Sequence, residues 1–253
     1  MSGSGLGPKS RSLISLSPEP DIIRSFTTRF RSFILSTIAV LGGTGHEGTG
    51  LAVRWAKAGH TVIIGSRTAD KAQKAADEIN ALLESLTVRG TDNLSAAQAA
   101  AIIVLTVPYT AHSSTIESVK SACQGKVFID VTVPLMPPKV SRVQMPAAGS
   151  ASQEAQALLG DGVKVVTAFQ NIGADHLKDP HHPIDCDVLV CGDDKEAKAS
   201  VIALAADAGM QAWDAGPLAN AVVAEGLTSV LIGLNIKHKV KASGIRITGI
   251  ERS

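Results

Sequence analysis

Aromatic residues are scarce in this chain, five Phe, two Trp and one Tyr among 253 residues. So few rings argue against a ligand pocket walled by protein aromatics. Cysteine is scarce too. Cys123, Cys186 and Cys191 form no CxxC pair and leave an odd count, which excludes a disulfide framework and points to a reducing compartment, with the cytoplasm as default. Charge of one sign is missing: the net is +1, so no electrostatic basis for nucleic-acid binding exists. Long uninterrupted apolar runs are missing as well; Leu218 to Ile236 carries Asn220 and Glu225 inside it, so no membrane span or membrane partner is expected. His112, Ser113 and the scattered aspartates make no nucleophile motif such as GxSxG.

The apolar stretch Thr37–Leu41 runs directly into Gly42 and then Gly43-Thr44-Gly45-His46-Glu47-Gly48. A strand feeding GxGxxG is the dinucleotide fingerprint: the first glycine permits a tight strand-to-helix turn, the second lets a pyrophosphate approach the backbone, and the third lets helix and strand pack closely. The phosphates then meet the unpaired N–H groups and positive dipole end of the helix. Leu51, Ala52, Trp55 and Ala56 supply that helix with an apolar face, Gly59 can end it, and Thr61–Gly65 reads as a second strand.

The residues after the second strand select the nucleotide. An NAD site places an acidic residue about 20 positions beyond the first glycine. This chain has Ser66-Arg67 there, with Lys71 one helical turn on. Arg67 can pair bidentately with a 2′-phosphate, Ser66 can donate a hydroxyl hydrogen bond, and Lys71 adds a mobile charge, so NADP(H) is expected.

From Thr37 onward strands and helices alternate, the pattern of a doubly wound parallel sheet in the α/β class. A helix is expected from Thr68 as N-cap through Leu83, and strands over Ala101–Val107, Val127–Val131, Val163–Ala168 and Asp187–Cys191. Ligands bind at the carboxyl ends of such strands, which nominates Thr106, Val107, Pro108 and Tyr109, and Thr132 to Leu135. A change of character near residue 170 suggests a Rossmann NADP-binding domain over 37–170 and a smaller C-terminal α/β domain over 171–253. In the second lie helices near 194–208 and 217–235, the latter apolar enough to pack at a domain or subunit interface. Residues 1–36 differ in composition: nine serines, and Lys9, Arg11, Arg24, Arg29 and Arg31 against Glu19 and Asp21. A transit-like segment, or a weak basic amphipathic helix over Ile22–Leu35 serving membrane or nucleic acid, is one reading. A poorly ordered or non-native extension is the preferred one.

Several of these motifs together resemble the NADPH-dependent coenzyme F420 reductases (F420-dependent NADP oxidoreductases). The resemblance covers nearly everything from Thr37 and rests on Val40–Gly45, on Gly65–Arg67 with Lys71, on Val104–Pro108, on Val190–Asp194 and on Asp214–Asn220. It implies hydride transfer between NADPH and the deazaflavin of coenzyme F420, with no acid–base side chain, a two-domain fold and a homodimer or higher homo-oligomer. It also implies an acceptor site framed by Thr44, Gln170, Asn171, Ile172, Gly173, Ala174, Pro217 and Thr228. The archaeal members carry His-Thr-Ile-Pro-Ala where this chain has Gln170–Ala174, a departure that removes a titratable group. Other acceptors on the same scaffold (a flavin, a ferric complex, an imine) and a non-catalytic NADPH-sensing module are the alternatives.

Two clusters invite further readings. Asp175, His176, His181, His182, Asp185 and Cys186 are close in sequence, yet adjacent histidines diverge and Pro180 and Pro183 stiffen the loop, so no metal site is expected. Lys237, His238, Lys239, Lys241 and Arg246 follow the long apolar helix, with a strand-like alternation at Lys239-Val240-Lys241, and could hold the acceptor's anionic tail.

Overall fold

The computed structural model describes residues 1–3 and 35–252. The expectations for residues 4–34, including most of the amphipathic segment from Ile22, lie outside the described residues. Leu35 and Ser36 lie within them. Ser36 already joins the fold, its N–H donating to His60 Nδ1 and its carbonyl accepting from Thr61 N.

The elements are β1 (Thr37–Leu41), α1 (His46–Lys57), β2 (Thr61–Ser66), α2 (Ala69–Leu83), β3 (Val88–Asp92), α3 (Asn93–Ala99), β4 (Ile102–Leu105) and α4 (His112–Cys123). They continue with β5 (Val127–Asp130), α5 (Ala151–Leu159), β6 (Lys164–Thr167), α6 (Ala174–Leu177), β7 (Val188–Gly192), α7 (Lys195–Asp207), β8 (Ala212–Asp214) and α8 (Ala221–His238). The sheet order is β3-β2-β1-β4-β5-β6-β7-β8. All pairings from β3 to β6 are parallel, β7 adds antiparallel to β6, and β8 is parallel to β7. The chain reverses winding between β1 and β4, which is the switch point where α/β sheets open a crevice for ligands.

Strand residues alternate between two cores. Ile38, Val40, Val62, Ile64, Val104 and Ile129 face α1, α2 and α7, whereas Ala39, Leu41, Ile63, Ile103, Leu105 and Phe128 face α3, α4, α5 and the start of α8. Strands buried on both faces explain the unbroken Val/Ile runs in the sequence. The short β3, α3, α5 and β8 carry too little apolar periodicity to stand out in the sequence; their burial comes from neighbours.

The first core draws on residues from Ile38 to Ala212, residues 35–252 form one compact unit, and the sheet turns antiparallel between β6 and β7. Two expectations need correction. Lys239 is the left-handed C-cap of α8 (φ 55°) and Lys239–Lys241 form no strand. Finally, Leu218–His238 is long and apolar enough by length and composition to cross a bilayer, despite Asn220 and Glu225. Here it packs on the protein instead, with Ala221 in the second core and the Glu225 carboxylate, fully buried, receiving Ala151 N (2.7 Å) and Ser152 N (3.0 Å) at the start of α5.

Candidate functional site

The three glycines of the fingerprint are glycine for different reasons. A Cβ on Gly43 would lie 2.6 Å from Val40 O, and one on Gly48 would lie 2.5 Å from Thr106 Oγ1 and 2.7 Å from Gly43 Cα. Both are demands of the fold. A Cβ on Gly45 would meet only Gly42 O, at 3.6 Å, so nothing in the protein requires glycine there. The open space above Gly45 is what a pyrophosphate pressed against the backbone needs. The turn is held by Gly43 N donating to Gly65 O (3.1 Å) and Thr49 Oγ1 donating to Gly43 O (3.0 Å). Asp92, Ser150 and Asp194 cap α3, α5 and α7 with their side chains, but α1 begins at Gly45 with no side-chain cap. Its N–H groups stay available to an anion. Thr44, Gly45 and His46 are exposed.

Beside this turn, Ser66 is buried at the end of β2 while Arg67 and Lys71 are exposed and take part in no hydrogen bond or ion pair among the described residues. The nearest strand carboxylate, Asp92 opposite Ser66 in the ladder, is committed to Ser95 N (2.9 Å) and Ser95 Oγ (2.6 Å). Those bonds hold its pKa below the usual carboxylate range. It therefore offers no ready ligand for a ribose 2′-hydroxyl. Thr106 donates its hydroxyl to Leu41 O (3.0 Å) and Val107 lies against Gly42, so these two buttress the turn from β4, and Pro108 leads into the following 3₁₀ turn.

The acceptor set is built by long-range contacts. Gln170, Asn171 and Ile172 are buried after β6; Gln170 Nε2 donates to Asp130 O (2.6 Å), Asn171 Nδ2 donates to Asp187 O (2.8 Å), and Thr228 Oγ1 donates to Gln170 O (2.9 Å). Gly173 passes under the C-terminal tail, where a Cβ would meet Ala242 Cβ at 2.5 Å. Ala174 opens α6. Pro217 is exposed at the start of the 3₁₀ turn that Asp193 caps through Leu218 N (2.9 Å), and no hydrogen bond links it to the Gln170 segment. Among the described residues, five buried side-chain polar atoms lack a partner: Glu47 Oε1, His112 Nδ1, Thr167 Oγ1, Gln170 Oε1 and Asn171 Oδ1.

Behind that segment lies a network not anticipated from sequence. His112 Nε2 and Asp130 Oδ2 meet at 2.8 Å, both fully buried, and Asp130 Oδ1 accepts Thr132 N (3.0 Å). Burial pulls the His112 imidazole down, but the hydrogen bond and charge of Asp130 outweigh it and leave the ring above its usual value. Glu225 is pushed up to about 7 by burial and the charge of Asp130, against the hydrogen bonds it accepts from α5. The signal for both was a lone acid inside an apolar strand and an apolar helix. Arg54, 5% exposed, is a second such group: its guanidinium donates to the carbonyls of His176, Leu177, Asp179, His182 and Ala208, fastening α1 to the loop after α6.

That loop uses up the residues that resembled a metal set. His176 and His182 rings lie 4.5 Å apart, His181 meets Lys57 (3.1 Å), Asp185 pairs with Arg246 and Asp175 with Lys178 (3.9 Å). No group of three metal-ligating side chains gathers among the described residues. Of the basic tail, Lys237, Lys239 and Lys241 are exposed, while Arg246 is spent on Asp185.

A sequence profile described as NADP oxidoreductase coenzyme F420-dependent matches residues 37–134. The chain is 42% identical over 222 residues to an F420-dependent NADP reductase of Methanocaldococcus jannaschii, covering 85% of this chain and 99% of the relative. It is 45% identical over 221 residues to the F420-dependent NADP reductase of Methanothermobacter marburgensis, covering 84% and 98%. Among solved structures, a candidate F420-dependent NADP reductase from Arthrobacter sp. FB24 superposes with a TM-score of 0.69 at 29% identity, over 84% of this chain and 99% of that one.

Proposed function

The chain belongs to the coenzyme F420-dependent NADP oxidoreductases, and on that premise we propose how its own residues divide the transfer of a hydride between NADPH and coenzyme F420. When bound, the nicotinamide supplies the donor carbon and the deazaflavin the acceptor carbon. The task of the protein is to bring the two rings to about 3–3.5 Å and to keep water out. With 3% aromatic residues, the rings have each other as stacking partners.

Gly43–Gly48 and the uncapped start of α1 hold the pyrophosphate. Arg67, with Ser66 and Lys71, grips the 2′-phosphate and sets the preference for NADPH. Thr106, Val107 and Pro108 support the nicotinamide side of the turn. Thr44, Gln170–Ala174, Pro217 and Thr228 frame the deazaflavin, so residues 37–170 serve mainly the nucleotide and residues 171–253 complete the acceptor side. The reading rests above all on the pairing of open space over Gly45 with two unpartnered cations beside it. We place the chain in the cytoplasm, in keeping with three free cysteines, and propose a homo-oligomer in which a second copy covers Val223, Val230 and Leu234 on one exposed side of α8.

Stopped-flow oxidation of NADPH with coenzyme F420, FMN and a ferric chelate in parallel tests the acceptor. F420 is expected to be reduced fastest; rapid turnover of either competitor with F420 left oxidised would overturn the assignment.

A further inference from the structure

We propose that Glu47 is the proton donor of this reaction, a carboxylic acid carried on the nucleotide-binding helix that supplies the proton accompanying the hydride. The proposal rests on the deazaflavin reading above. A hydride brings the acceptor a hydrogen and an electron pair, and the charge it adds settles on a ring nitrogen that must then be protonated. NADPH delivers no proton, and none of the side chains of Gln170–Ala174 can.

Position and the burial of one carboxylate oxygen single out Glu47, a half-buried residue. Glu47 and Arg54 are seven residues apart on α1, which at 3.6 residues per turn returns to within about 20° of the same direction, with Gly50 between them. That stripe is the one seated on α6. Arg54 Nε donates to Leu177 O (3.1 Å), and a Cβ on Gly50 would run into Leu177. Arg54 fastens the lower part of the stripe to the loop after α6. Glu47, at the glycine-turn end, therefore lies toward the residues that precede α6, Ile172 and Gly173 of the acceptor wall. Its Oε1 is inaccessible to solvent and has no hydrogen-bond partner, as is true of Gln170 Oε1 and Asn171 Oδ1 in that wall.

The site keeps the acid protonated. Burial alone pushes Glu47 up to about 8. The charged groups on the elements packed against α1, among them Asp175 and His176 of α6, Lys71 and Lys74 of α2 and Lys198 and Asp207 of α7, make no hydrogen bond or ion pair with it. The fully buried acids among the described residues are already engaged: Asp130 with His112 and Thr132, Asp187 with Trp213, Ile247 and Arg252, and Glu225 with three donors on α5. In the step itself, the donor C–H bond breaks and its electron pair forms the new C–H bond on the acceptor. The O–H bond of Glu47 breaks, its proton passes to the acceptor nitrogen, and the carboxylate is reprotonated from water. The nicotinamide is oxidised by two electrons and the acceptor reduced by two.

The test combines kinetics with a spectroscopic readout. Glu47→Gln keeps the shape and loses the acid, so kcat for F420 reduction at pH 7 is expected to fall about 100-fold or more with little change in the KM for NADPH. Wild-type kcat is expected to fall as pH rises through about 8, and the reverse reaction, which needs the carboxylate as base, to rise over the same range. The variant should show neither dependence. Infrared difference spectra of the wild-type protein should contain a protonated-carboxyl band at pH 7 that vanishes above pH 8 and is absent from the variant. Equal kcat and an unchanged pH profile in Glu47→Gln would overturn the proposal, as would an ionised Glu47 at pH 7 in the wild type, a result available even if the variant does not fold. A wild-type protein unable to reduce F420 would instead bring down the acceptor reading on which the proposal stands.

Discussion

The nucleotide side and the acceptor side of the crevice are built in opposite ways. Around Gly43–Gly48, polar groups are left free: the first N–H groups of α1 have no side-chain cap, and Arg67 and Lys71 stand exposed without partners among the described residues. Around Gln170–Gly173 the side-chain donors are consumed, while Gln170 Oε1 and Asn171 Oδ1 stay without a partner among the described residues. Gln170, Asn171, Thr228, Asp130, His112 and Arg54 are all bonded to distant backbone or to each other. One side recognises an anion by leaving donors unsatisfied, which costs little because they face water. The other shapes a wall by spending its donors internally, since an unpaired buried donor would be costly. On the proposed assignment, specificity for the nucleotide is a surface property and specificity for the acceptor a property of the core.

Removing Arg54 should break the second side most severely. Arg54→Ala deletes a buried guanidinium and orphans five carbonyls, so a loss of about 3–5 kcal/mol is expected in urea unfolding, together with a mobile loop over residues 176–183. If the urea midpoint barely moves, the acceptor side does not depend on this knot. The glycine turn offers a sharper contrast. Gly48→Ala should cost stability, about 1–3 kcal/mol, because the new Cβ has no room against Thr106 and Gly43. Gly45→Ala should leave the melting temperature alone and weaken NADPH about 10- to 100-fold. Calorimetry on both variants checks the pair; a destabilised Gly45→Ala would mean that the space above it serves folding instead of a ligand. Arg67→Ala should weaken NADPH by about 10- to 100-fold while leaving NADH nearly unchanged, since hydrogen bonds to a charged partner contribute about 1.5–3 kcal/mol. Equal losses for the two nucleotides would break the assignment of the 2′-phosphate.

A last effect concerns pH. Glu47 and Glu225 have pKa values raised to about 8 and about 7 from 4.5, so between pH 4.5 and those values the folded chain holds protons that the unfolded chain has released. Their contribution to stability is therefore full below about pH 4.5 and declines as pH rises through 7 and 8. Urea unfolding across that range should show the decline, and Glu47→Gln should remove the part nearest pH 8.

How much of this was legible in advance follows the same division. The strands β1, β2, β4, β5, β6 and β7, the glycine turn and the Ser66-Arg67 pair could be read directly, because each is a contiguous run whose periodicity or chemistry is local. The elements β3, α3, α5 and β8 could not, since their short segments are stabilised by what packs on them. Arg54, Asp130 and Glu225 are in the sequence no more than single charged residues in apolar surroundings, and their partners lie elsewhere along the chain.

Local sequence by itself determined the doubly wound order of elements, the nucleotide turn and the choice of NADP(H), because a turn of glycines and an adjacent cation act through groups within some thirty residues of each other. Tertiary structure alone decided that the C-terminal segment extends the same sheet, that α8 is anchored on α5 through Glu225, and that the wall of Gln170, Asn171 and Thr228 is held by Asp130 and Asp187. Those features depend on burying polar groups, and whether a buried group finds its partner is settled only when distant parts of the chain meet.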